Sequence, residues 1–187
     1  MLEFVREKKC KLIYAGSSTK FADGGLGRDQ SPYAFTKATN TELVRNYGTW
    51  YGINYAITYF YNVYGNREIA SGPYATVIAR FIDRYKKGEP LTVTAPGTQK
   101  RIFTHVDDIV DGLIVVGEKG MGDEFGLGAA ESYSILDIAE MFNVPIEMTP
   151  EKAGNRMNAV LDTTQSNAIG WQPHKRVEDY IRAAISA

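Results

Sequence analysis

A chain of 187 residues with 44% hydrophobic and 23% charged side chains has ordinary globular composition, and 21 basic against 22 acidic residues leave a formal net charge of −1. That balance supplies no field to attract nucleic acid or an anionic membrane, and the single cysteine, Cys10, excludes an internal disulfide and a cysteine-built zinc site. No run of about 18 apolar residues occurs, and the opening MLEFVREKKCKLIYAG scatters charge through its apolar residues, so neither a membrane span nor a signal peptide is expected and the cytoplasm is the expected compartment.

In chain order, KLIYAG reads as a short buried strand. From Ser31 to about Tyr51 a helix is predicted, with Ser31 as N-cap, Pro32 at the first helical position and Gly52 as the stop. INYAITYFYNVYG follows as a second strand, rich in β-branched and aromatic residues. A helix is predicted next, where Val77, Ile78, Phe81, Ile82 and Tyr85 recur at helical spacing ahead of Gly88. PLTVTA and RIFTHV read as strands, DDIVDGLIVVGEK as a helix with an acidic first turn, and SILDIAEMF as a helix capped by Ser134. IEMTP, a small DTTQSNAIG helix and a last helix from about Val177 close the chain. This alternation predicts an α/β fold with three layers and a mainly parallel, Rossmann-like sheet.

Tyr33 and Lys37 stand four residues apart, hence on one face of the first predicted helix. A lysine ammonium there favours the phenolate of a neighbouring tyrosine. Bringing a phenol from ~10 towards neutrality takes ~3–4 kcal/mol of differential stabilisation, a plausible demand on a close cation assisted by a cofactor's positive charge. With 12 tyrosines in the chain such a spacing also arises by chance, so its context has to decide.

That context is a series of five motifs in order: GSSTKFAD after the first strand, SPYAFTK at the helix start, YNVYG at the second strand end, RIFTHVDD, and IGWQP near the end. Together they resemble the extended short-chain dehydrogenase/reductase family, specifically its NAD-dependent nucleotide-sugar epimerases and dehydratases, over nearly the whole chain. The resemblance implies Ser17, Tyr33 and Lys37 as the catalytic set. Tyr33 is implied as the base, Lys37 as the group that lowers its pKa and holds the nicotinamide ribose, and Ser17 as the donor to the reacting oxygen. It also implies Phe60 and Tyr61 beside Tyr33 and Lys37 at the cofactor. Ser17, Ser18, Thr19, Asn62, Arg101 and Arg156 are implied at a nucleotide-diphosphate sugar, with Arg101 as the diphosphate clamp. Family dehydratases carry Thr-Asp-Glu where this chain has Ser17, Ser18 and Thr19, and the decarboxylases keep the glutamate. A 4-epimerase is therefore expected first, with a ketosugar reductase as the alternative. His105, His174, Asp107 and Asp108 are read as structural, and no metal is expected.

The family begins with a strand, a Gly-x-x-Gly-x-x-Gly turn and a helix that cradle the dinucleotide pyrophosphate. No such segment occurs here. Gly24, Gly25 and Gly27 of DGGLGRD follow no strand directly, and GLGAAE at Gly126 reads as a connecting turn. The expectation is thus a single extended-family domain lacking its N-terminal part. Residues 1–65 form about the C-terminal half of the Rossmann sheet, and residues 66–187 form mostly a small substrate-binding α/β subdomain with some returning sheet elements. Alone it is expected to be inactive, either as one half of an enzyme or as a sugar-nucleotide-binding or oligomerisation module. A homodimer is expected through the Tyr-Lys helix and the next one, using Val44, Tyr47, Trp50, Ile78 and Phe81.

Overall fold

The computed structural model describes residues 1–17, 28–29, 31–151 and 162–186. Ser18, Thr19, Gly24, Gly25, Gly27 and Arg156 lie outside the described residues. The elements in order are α1 (Leu2–Lys8), β1 (Leu12–Ala15), α2 (Pro32–Tyr51), β2 (Tyr55–Phe60), β3 (Val63–Tyr64), α3 (Val77–Lys86), β4 (Leu91–Thr94) and β5 (Lys100–Ile102). Then come β6 (Thr104–His105), α4 (Val106–Lys119), β7 (Gly122–Leu127), β8 (Ser132–Ser134), α5 (Ile135–Glu140), β9 (Ile146–Thr149), α6 (Thr164–Ala168) and α7 (Val177–Ile185). The fold is α/β with mainly parallel pairing; β5 with β8 is the antiparallel exception among the described pairs.

The chain divides into two compact units, Met1–Tyr61 with Asp108–Gly128 and Val160–Pro173, and Asn62–Asp107 with Ala129–Ala159 and His174–Ala187. In the first, β1, β2 and β7 form a parallel sheet in the order β1-β2-β7. Ala56, Ile57, Thr58 and Tyr59 of the central β2 are fully buried, as a parallel strand covered on both faces requires. Among the described residues β1 pairs only with β2, and all four of its residues are half-buried. Helix α2 begins where its sequence signals place it: the Ser31 hydroxyl accepts the Ala34 N–H at 3.1 Å, Pro32 opens the helix, and Gly52 closes it in the left-handed conformation.

Strand β7 overturns the reading of GLGAAE as a turn, because Gly126 and Leu127 pair with Tyr59 and Phe60. Its sequence, GDEFGL, has little intrinsic strand preference, and packing overrides it. A Cβ at Gly126 would stand 1.9 Å from the Asp162 carbonyl oxygen, and the Ser166 hydroxyl donates to the Gly126 carbonyl at 2.7 Å. The single strand expected over INYAITYFYNVYG also divides. Asn62, at φ 29, turns the chain out of β2 and into β3.

In the second unit Tyr64, Ile78, Phe81, Leu91, Phe103 and Ile138 belong to one buried core together with Phe142 and Ile181. Ile78 and Phe81 are therefore core residues and not a partner-facing surface, and Val44 is likewise buried in the first unit. Of that expected set Trp50 remains exposed and Tyr47 half-buried.

Candidate active site

Ser17 follows Gly16, whose N–H extends the β1 ladder by donating to the Thr58 carbonyl at 2.8 Å. The parallel register, Ala15 beside Thr58 and Phe60 beside Leu127, brings Ser17, Phe60 and Leu127 to the carboxyl ends of their strands. That edge is where open α/β sheets take ligands. Phe60 is half-buried there and Tyr61 is buried.

Helix α2 reaches the same edge through Lys37. Its half-buried ammonium donates to the Ala15 carbonyl at 2.9 Å and stands 5.4 Å from the centroid of the Tyr14 ring. The tether holds a cation two residues short of Ser17. Tyr33, one turn earlier on α2, is 60% exposed. The structure thus brings the Lys37 ammonium to the end of the strand that leads to Ser17, a placement the motif spacing could not supply.

Asn62 and Arg101 come together in the second unit, on the wall of a cavity of about 270 Å³ that also includes Tyr64, Glu68, Thr76 and Phe103. The Asn62 amide donates to the Ile102 carbonyl at 2.9 Å, which pins β5 and the Arg101 it carries beside the start of β3. Arg101 donates to the Lys100 carbonyl at 2.8 Å. Glu68 on this wall was not singled out in the sequence; it lies beyond the recognised YNVYG and carries no spacing signal of its own.

Gly65 of YNVYG has a structural reason. Its φ is 147°, and a Cβ there would stand 2.6 Å from Val106. His105 is buried against the edges of Tyr64 and Tyr180, its Nδ1 accepting the Asp107 N–H at 3.1 Å. Lys175, 3.0 Å away, holds the Asp107 carboxyl below its usual range. Trp171 of IGWQP donates its indole N–H to the Asp108 carbonyl at 3.0 Å. These residues build the fold, and no cluster of metal-ligating side chains occurs among the described residues.

The sequence model of the NAD dependent epimerase/dehydratase family matches residues 1–128. The chain belongs to this family. A putative UDP-glucose 4-epimerase of Methanocaldococcus jannaschii is 27% identical over 163 residues, covering 83% of this chain and 52% of that protein. UDP-glucuronic acid decarboxylase 5 of Arabidopsis thaliana is 31% identical over 163 residues, covering 80% of this chain and 46% of the relative. The crystal structure of a Thermotoga maritima UDP-glucose 4-epimerase with UDP-glucose superposes with a TM-score of 0.89 at 22% identity, over 99% of this chain and 65% of that one. The likeness to that structure establishes the Rossmann-like epimerase fold. The chain spans about half the length of the curated relatives it matches.

Proposed function

We propose that these residues form the proton-transfer and sugar-nucleotide portion of an NAD-dependent nucleotide-sugar 4-epimerase. The observation that carries the reading is the Lys37 tether, which fixes a cation at the end of β1 on the helix that presents Tyr33. In this reading the Tyr33 phenolate takes the proton of a sugar hydroxyl while Ser17 donates to the same oxygen. Lys37 and Tyr33 hold the nicotinamide ribose beside Phe60 and Tyr61. Bound there, NAD would supply reversible hydride acceptance, the chemistry by which a sugar carbon can be oxidised and then reduced on its other face. Arg101 and Asn62 grip the diphosphate, and Ser18, Thr19 and Arg156 complete the substrate contacts. Thr19, where family dehydratases and decarboxylases carry a glutamate, favours epimerisation.

The residues present fit the nicotinamide end of the cofactor alone, because no Gly-x-x-Gly-x-x-Gly sequence occurs among the 187 residues. The pyrophosphate cradle is assigned to polypeptide outside them, and β1, half-buried and paired only with β2 among the described residues, supports a sheet that continues past that strand. A homodimer is assigned to the side chains α1 and α2 leave exposed, Phe4, Phe35, Leu43 and Trp50, and the cytoplasm to the compartment. A chimera carrying the N-terminal strand, Gly-rich turn and helix of a family 4-epimerase ahead of residue 1 tests the reading. It is expected to convert UDP-glucose to UDP-galactose, with Tyr33→Phe slowing it at least ~100-fold. Equal turnover with and without the Tyr33 hydroxyl contradicts the assignment.

A further inference from the structure

The cavity of the second unit contains a carboxylate with no assigned role. Glu68 lines it with Arg101 and Asn62, and its two oxygens are held by different donors. Oε2 accepts the Gly65 N–H at 3.0 Å, and Oε1 accepts the Thr76 hydroxyl at 2.6 Å. Both donors are committed at a local cost. Gly65 aims its N–H from a backbone conformation that a side chain would not tolerate beside Val106. Thr76 sits at the N-cap of α3, yet its side chain makes no capping bond there and serves Glu68 instead. Departures from local preference of this kind concentrate where a site has to be held.

Each carboxylate oxygen has two acceptor positions, so after these bonds Glu68 still offers the cavity one acceptor on each oxygen. A diphosphate cannot be its partner, since like charges repel and Arg101 serves that group. Uracil offers a single N–H flanked by two carbonyl acceptors, which a carboxylate opposes. Two adjacent donors spaced to match a carboxylate are found in vicinal hydroxyls, and since the proposed function gives the hexose to Ser17 and Tyr33, the pair left for Glu68 is that of the ribose. We infer that Glu68 accepts hydrogen bonds from the 2′- and 3′-hydroxyls of the substrate's ribose and selects ribonucleotide over 2′-deoxyribonucleotide diphosphate sugars. The inference rests on reading this cavity as the nucleotide pocket.

Calorimetric titration of the 187-residue chain with UDP and with 2′-deoxy-UDP, which differ in one hydroxyl, tests it. Wild type is expected to bind UDP about tenfold more tightly, the worth of a hydrogen bond to a charged acceptor. Glu68→Gln is expected to weaken UDP about tenfold and to leave 2′-deoxy-UDP within about twofold, whereas Arg101→Met weakens both alike. Equal binding of the two ligands by wild type, or equal weakening of both by Glu68→Gln, overturns the role of Glu68 while the nucleotide reading stands. Absence of binding by either ligand overturns both. The wild-type ratio needs no variant, so a Glu68→Gln chain that fails to fold leaves the inference open to refutation.

Discussion

Lys37 shows what a motif conveys and what it omits. Its spacing from Tyr33 is written in the sequence, but the partner of its ammonium, the Ala15 carbonyl 22 residues earlier, is set by how α2 lies against β1. Replacing it with methionine removes a part-buried charge-assisted bond and strands the carbonyl, which is expected to cost about 1–3 kcal/mol in urea unfolding. Gly65→Ala meets both the Val106 side chain and a disfavoured φ, and a loss of about 2–4 kcal/mol is expected by the same measurement. Glu178 gives a pH dependence. Burial pushes its carboxyl up, but Arg176 at 3.0 Å and the Tyr133 hydroxyl outweigh burial and hold it down at about 2. A carboxyl depressed in the folded state stabilises fully above its unfolded value near ~4.3, and that contribution is lost as pH falls towards about 2. The melting temperature is therefore expected to drop between pH ~5 and ~2, and Glu178→Gln is expected to flatten that drop. The placement of Glu68 was not legible in sequence, because it is set by the Gly65 N–H and the Thr76 hydroxyl that hold its two oxygens.

Elements were legible in proportion to how much their own residues determine them. Ser31, Pro32 and Gly52 mark both ends of α2 by local chemistry alone, and Ser134 with Asp137 makes the capping box that starts α5. Ser134→Ala is expected to cost about 1 kcal/mol, read from the shift in the urea midpoint. By contrast, β7 is a strand because β2 and α6 pack on it, and its glycines and acids signal a loop until that packing is known. Helix α1 also escaped the sequence reading, its seven residues being too few for a clear period. Tyr47 donates to Glu3 at 2.8 Å and Arg6 lies over Tyr51, which joins α1 to the end of α2. On the dimer assignment, Trp50→Lys shifts sedimentation to that of a monomer with the far-UV circular dichroism of the folded chain retained; a persisting dimer would place the interface elsewhere.

For the molecule as a whole, the sequence announced the α/β class through alternating periods and the family through five ordered motifs, most of which the structure explains as strand ends, caps and close contacts. The division of the chain at Tyr61 and Asn62 was harder to read, because it depends on segments 108–128 and 160–173 returning to the first unit through long-range contacts. The same scale carries the central claim: these residues hold the proton-transfer groups and the sugar-nucleotide pocket, and the dinucleotide cradle lies outside them. Calorimetric titration of the chain with NAD and, separately, with UDP-glucose tests that claim most directly. Binding of UDP-glucose without binding of NAD is the predicted result; tight NAD binding by these residues alone, or no binding of UDP-glucose, would contradict it.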